Sequence, residues 1–377
     1  MGRRAVAVIA AVCLIAVMGV CLVSCSEEEW NDGSYDLSLP DFLTAQDFDK
    51  TGVSGDGWYM VFEDDFDGDS SSSSPVEALN ASTSFGEVFK SKNPELFSEG
   101  EILRGIWTTS PEGLRWESND SDKPEQACYW CSDMVSVGGG YVTISSEQRE
   151  NHVCTSGVCP SSGRFTSGIE TRAILAESDS QTENKGQADD ILFAQAFGYF
   201  EATVKFPDAD GMWSAFWLQS SNMRKIGAEG VDGTEIDIYE SAFRKARGSK
   251  MGHALLWNGY GAYAKVEDYI GEAGGDLYDG NFHTFALKWT PDYYVFYIDG
   301  AATWASRGGG VSHVREFLRL TVELDAGDKY GPHGQKIGAF SGGADFIIDS
   351  VRVYQNENYE QYIIDDSRFA GDLDLAN

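Results

Sequence analysis

Basic residues are scarce in this sequence. Lys and Arg number 28 against 60 Asp and Glu, a formal charge of −32 over 377 residues, and no basic footprint is concentrated anywhere, which excludes a nucleic-acid partner. Proline is also sparse, at 9 beside 42 Gly, and neither a long amphipathic helix nor an internal repeat is visible. The five histidines (His152, His253, His283, His313 and His333) are scattered, and there is no HExxH, GxSxG or P-loop. Metal-assisted and serine hydrolysis therefore find no support. What the chain does have is 42% hydrophobic and 13% aromatic residues, the balance of a polypeptide that buries a large core.

The first residues, MGRR, precede an uninterrupted apolar or small run from Ala5 to Ser24, followed by Cys25. By length the run could span a membrane, but Leu22-Val23-Ser24-Cys25 resembles a bacterial lipobox, in which the Cys is lipidated and becomes the first mature residue. Both readings, a lipoprotein leader over 1–24 and an uncleaved anchor, place the rest outside the cytoplasm. Loss of Arg3 and Arg4 leaves 26 − 60 = −34 on the mature chain, so the body is expected to stand off the anionic membrane that its lipid enters. Residues 25–57, polar and acidic, read as a tether, and 356–377 as an acidic extension. A monomer is expected. With Cys13 and Cys21 in the leader and Cys25 lipidated, Cys128, Cys131, Cys154 and Cys159 remain. Four cysteines in an exported chain favour two disulfides in any of three connectivities, while the CxxC and CxxxxC spacing also suits a structural zinc site.

From residue 58 to 355 the pattern is of short alternating strands between Gly-rich turns, apart from a segment over 76–127 that the pattern does not assign. Tyr199 to Phe206 places Phe200, Ala202, Val204 and Phe206 on one face, Met212 to Gln219 places Trp213 and Trp217 on one side, and His283–Thr290 with Tyr293–Gly300 reads as a hairpin. Such spacing predicts an all-β, antiparallel two-sheet sandwich.

The informative segment is GTEIDIYESAF, Gly233 to Phe243. In a strand Ile236 and Ile238 face the core and Glu235 and Asp237 the other side, and strict alternation would bury Glu240 with the isoleucines. A one-residue β-bulge near Tyr239 would return Glu240 to the face of Glu235. Three crowded acids raise one another's pKa values, a cost to stability that glycoside cleavage puts to use: a retaining glycosidase needs an ionised nucleophile and a protonated acid about 5 to 5.5 Å apart. Glu235 then attacks, Glu240 protonates the leaving oxygen, and Asp237 orients and tunes both.

GTEIDIYES resembles the signature of glycoside hydrolase family sixteen, and VFEDDFDGD, FTSGIETRA, FGYFEATVKFPDADGMWSAFWLQ, FHTFALKWTPDYYVFYIDG and FIIDSVRVYQ follow the same order. The resemblance implies a concanavalin A-like jelly roll, with Glu235 as nucleophile, Asp237 as assisting acid and Glu240 as acid/base, in the laminarinase-like branch whose strand carries the extra residue. In GHALLWNGYG, Leu256 and Asn258 stand where relatives read His and Asp, which leaves one sugar contact open. Trp213 and Trp217 are the expected stacking platforms, with Arg172, His253 and Trp257 as further substrate contacts. No cofactor is expected for catalysis. A structural calcium is implied at Asp349, with backbone carbonyls near Glu63 and Gly139.

The expected activity is endo-acting, retaining hydrolysis of a β-glucan, first of all a β-1,3-linked, laminarin-like polysaccharide. The net charge disfavours a heavily sulfated polymer. Transglycosylation, an algal galactan as substrate, and a non-catalytic surface glycan-binding protein are the alternatives.

Overall fold

The structure is a computed structural model. It describes residues 35–43, 57–68, 74–98, 105–116, 128–155, 159–174, 189–224, 229–241, 247–260, 263–325 and 338–364, together with Val23–Ser24, Val53–Ser54, Glu101–Ile102, Gly157 and Gly227. Most of the leader and Cys25 lie outside the described residues, so lipid anchoring rests on the sequence alone.

Alternation decides the architecture. In Gly198–Lys205, Phe200, Ala202 and Val204 are fully buried in the main core, while Tyr199 joins a second cluster on the opposite face. Two sheets enclose that main core. The first has eight strands in the order Val23–Ser24, Lys265–Glu272, Lys250–Trp257, Glu235–Glu240, Met212–Gln219, Phe317–Leu324, Gly168–Glu170 and Thr108–Thr109. The second has thirteen, centred on Gly198–Lys205 and the long strand Gly343–Asn356. Pairing is antiparallel throughout the middle of both sheets. Parallel pairs join Ser162–Thr166 to Cys128–Trp130 and Val23–Ser24 to Lys265–Glu272. Phe206 packs against Tyr239, Phe285 and Phe346 between the layers, at ring-centroid separations of 5.3, 5.5 and 5.8 Å. Burial of each such side chain contributes roughly 1.5–3 kcal/mol.

Several boundaries differ from the sequence reading. The segment over 76–127 folds into the body where it is described. Helix Pro75–Leu79 begins at Ser74, whose hydroxyl accepts from the Glu77 amide. The Asn80 side chain then binds the backbone of Ile106 and Trp107. Trp107 is buried and its indole donates to Asp64 at 3.1 Å, which positions Thr108–Thr109 as the edge strand beside Gly168–Glu170. The supposed tether docks over 35–43. Phe42 stacks on Tyr354 at 4.1 Å and meets Trp58 and Tyr199 edge-on, while Lys288 holds Asp36 at 3.0 Å. Its apolar residues, hidden in an acidic context, explain the difference. The start of the C-terminal extension docks as well, through Tyr59 and Lys92 onto Glu360 and through the Ile364 amide onto the His313 carbonyl.

Candidate active site

The acidic strand Glu235–Glu240 lies in the middle of the eight-stranded sheet. It starts from Gly233, whose φ of 140° lies in the region that favours glycine and whose Cβ would meet the Ser220 hydroxyl at 2.7 Å. The Thr234 amide donates to the buried Glu316 carboxylate at 3.1 Å and fixes that entry.

The register contains the bulge. Against Met212–Gln219, Gln219 faces Glu235, Trp217 faces Asp237, Phe216 faces Tyr239 and Ala215 faces Glu240, so Ile238 is the extra residue. The pairing with Lys250–Trp257 shifts over the same stretch, with Ala254 opposite Asp237 and Gly252 opposite Glu240. Ile236, Ile238 and Tyr239 all enter the core, while Glu235, Asp237 and Glu240 share the outer face of the sheet. Small residues at Ala215, Gly252 and Ala254 leave room beside the acids.

A bulge leaves a backbone carbonyl without a ladder partner, and here the imidazole of His253 supplies one. His253 Nδ1 lies 2.6 Å from the Ile238 carbonyl and Nε2 lies 3.0 Å from Thr303 Oγ1, with the ring fully buried against Phe296 and Trp304. Burial pushes its pKa down to about 4, so the ring is neutral. The expectation of a sugar contact at His253 is therefore corrected: it shares the core face with Met251 and Leu255 and braces the bulge from behind. Trp257 follows the same parity and packs over Gly309, where a Cβ would come within 2.0 Å of its ring. It too points away from the acids.

Around the acids the donors are specific. The Trp213 indole donates to Glu240 Oε1 at 3.0 Å. Gln219 Nε2 donates to Glu235 Oε2 at 3.2 Å, and the Tyr260 hydroxyl makes a short bond to the same oxygen. Two donors on one oxygen stabilise negative charge there. Asp237 lies between the two glutamates, and burial first, then the Glu240 and Glu235 carboxylates, push it well above the usual carboxylate range. The shift favours the protonated form.

Behind Glu235 runs a buried ion network. Arg319 Nη1 donates to Gln219 Oε1 at 3.2 Å and its Nε lies 2.7 Å from Glu170, which also pairs with Arg172 at 3.3 Å. Trp217 stacks on the Arg319 guanidinium at 4.0 Å and donates to Thr321 at 3.0 Å. Arg172 is only 1% exposed, packed over Phe317, so it belongs to this network and not to a sugar-facing surface. Gln219, Arg319 and Glu170 were missed in the sequence. Parity with Trp213 and Trp217 could have found Gln219, but Tyr260, 25 positions from Glu235, left no such signal.

The other expected sites fare differently. Asp349 occupies a bulge of the long strand: Thr203 faces Ser350 and Val204 faces Ile348, with Asp349 between them. On the opposite edge Val142 pairs with Ile348 and Asp64 with Val351, so the Gly138–Tyr141 turn and the end of Trp58–Asp64 flank it. The Glu63 carboxylate is engaged through Oε1 by Arg352 at 2.7 Å. The four cysteines carry free thiols. Cys128 points into the main core and Cys131, three residues on, to the other face, so the pair of bridges expected from four cysteines does not form.

A two-sheet β-sandwich with three carboxylates on one bulged central strand offers the kind of paired acids that glycoside cleavage uses. Residues 162–308 match the family described as Glycosyl hydrolases family 16. Among curated relatives, the chain is 27% identical over 252 residues to the endo-1,3-1,4-beta-glycanase ExsH of Rhizobium meliloti, covering 67% of this chain and 45% of that protein. It is 31% identical over 166 residues to a beta-glucanase of Fibrobacter succinogenes, covering 42% and 43%. The chain thus spans about half the length of the curated relatives it matches. A solved structure from work on endo-acting O-glycanases of human gut microbiota that initiate mucin breakdown superposes with a TM-score of 0.53 at 15% identity, over 82% of this chain and 96% of that one, and shows the shared jelly-roll fold. The similarity to glycosyl hydrolase family 16 thus rests on residues 162–308.

The raised pKa of Asp237 has a sign that can be tested. The folded state keeps a proton that the unfolded chain releases above the ordinary value of 3.8, so this group favours folding at low pH and the advantage is lost as pH rises. Asp237→Asn, which stays neutral, should gain stability relative to the wild type as pH rises from about 4 to about 8. Denaturant midpoints at the two pH values measure it, and a constant difference would remove the claim.

Proposed function

We propose that the protein is an endo-acting, retaining β-glucanase that cuts β-1,3-linked glucan by double displacement. The observation that carries this reading is the bulge that sets Glu240, held by Trp213, on the same face as Glu235, held by Gln219 and Tyr260. The Glu235 carboxylate attacks the anomeric carbon as the glycosidic C–O bond breaks, and Glu240 passes its proton to the departing oxygen. Water then attacks the glycosyl ester, giving its proton back to Glu240 and releasing Glu235. The upward shift of the Asp237 pKa works against a third negative charge between them. The names of the relatives, a 1,3-1,4-glycanase and a glucan endo-1,3-beta-glucosidase among them, support a glucan with 1,3 bonds.

The test is reducing-end release from laminarin, mixed-linkage glucan and algal galactans, with the first-formed anomer read by proton NMR. Retained β configuration is expected, with Glu235→Gln and Glu240→Gln each lowering kcat on the order of 10²–10⁴-fold. Laminarin binding without turnover by the wild type would favour a glycan-binding protein. Tyr260→Phe removes one of the two donors on Glu235, and a charge-assisted bond of about 1.5–3 kcal/mol translates to a kcat loss of roughly 10- to 100-fold with little change in KM. An unchanged kcat would place Tyr260 outside the catalytic machinery.

The same family reading assigns a structural calcium to Asp349. Its bulged, doubly unpaired position and the backbone oxygens at Glu63 and Gly139 supply the hard oxygen donors that this ion takes. Calcium added to chelator-treated protein should raise the melting temperature of the wild type and not of Asp349→Asn. No shift with calcium would dismiss the site.

A further inference from the structure

Away from the acids, at the far edge of the thirteen-stranded sheet, a second constellation has no part in glycan chemistry. Cys131 follows strand Cys128–Trp130, and the loop that joins Val142–Glu150 to Ser162–Thr166 carries His152, Cys154 and Cys159. Cys131 Sγ lies 3.4 Å from His152 Nε2, and the ligand atoms of Cys131, His152 and Cys159 all fall within 4.8 Å of one another. Cys154 shares the same radius with Cys131 and Glu112. Cys131 and Cys154 are buried, at 0% and 7% exposed, and His152 is 7% exposed. His152 stacks on Phe165 at 4.1 Å, and its Nδ1 is buried with no hydrogen-bond partner.

We propose that Cys131, His152, Cys154 and Cys159 form a tetrahedral site for a soft divalent cation, zinc, that clamps this loop to the edge of the sandwich. A zinc ion with sulfur at ~2.3 Å and nitrogen at ~2.0 Å spaces sulfur from nitrogen ~3.5 Å apart, close to the 3.4 Å between Cys131 Sγ and His152 Nε2, and Cys159 lies within 4.8 Å of both. Three thiols also argue against disulfide chemistry. Cys128 is turned into the main core, so one bridge would strand a third thiol in a buried pocket, whereas a metal uses all three with the imidazole. Binding releases three protons to solvent and leaves a net charge of −1 on the ZnCys₃His unit. The neighbouring Glu112 is engaged by the Ser132 amide and hydroxyl and stays in the outer shell. The loop is set for closure from both ends: the His152 amide donates to the Ser161 carbonyl at 2.7 Å, the Thr155 amide donates to Asp133 at 2.7 Å, and Gly157, at a φ of 75°, turns the chain back toward Cys159.

The full chain, purified under reducing conditions, should carry about one zinc by plasma mass spectrometry. After chelation, cobalt(II) should restore a tetrahedral d–d spectrum with a thiolate charge-transfer band. Cys131→Ser and Cys159→Ser should each weaken zinc binding by at least about tenfold, and Cys128→Ala should retain it. The cobalt spectrum of the wild type keeps the proposal testable even where a serine variant is insoluble. A metal-free protein that gives no cobalt spectrum, peptide mapping that finds a disulfide among Cys131, Cys154 and Cys159, or undiminished zinc in Cys131→Ser would each overturn it. None of these readouts depends on glycan cleavage.

Discussion

One inserted residue governs the chemistry of this sandwich. Without the extra position at Ile238, the parity of the strand would send Glu240 into the same core as Ile236, where an unpaired carboxylate would cost several kcal/mol. With it, both Ile238 and Tyr239 enter the core in succession and the carboxylate emerges beside its partners. The bulge is itself a defect that has to be stabilised, and the protein does this from inside: a neutral, fully buried His253 satisfies the carbonyl that the ladder drops. Core packing and active-site geometry are thus two sides of the same backbone irregularity.

On the outer side the acids are held by an ordered set of donors. Glu240 answers to one indole, Glu235 to an amide and a phenol, and burial together with the two flanking carboxylates pushes the pKa of Asp237 well up. The Gln219 amide that touches Glu235 is itself oriented by Arg319, whose charge is compensated by Glu170. Glu235 is thereby tied to the edge strands that the Thr108–Thr109 segment completes.

The sheets, the bulge and the three acids were legible in the sequence because each follows from a period of two and one break in it. The errors came where parity was ignored or invisible. His253 and Trp257 were assigned to the sugar side although Met251 and Leu255, their apolar neighbours on alternate positions, already marked that face as core. Arg172 follows a strand whose Glu170 is its partner, a pairing that depends on a third strand contributing Arg319. Tyr260 reaches Glu235 from a turn, where no periodicity applies. The cysteines were paired by count, but the side of the strand each occupies was the deciding fact.

The aromatic patch behind the sandwich carries a practical corollary. Trp58, Tyr199, Tyr297 and Tyr354 would form a greasy plateau if the polypeptide began at residue 58, and Phe42 with its neighbours seals it. Residues 35–43 are therefore an integral cover on the rear of the molecule, and a version trimmed to residue 58 would leave that apolar surface open to self-association.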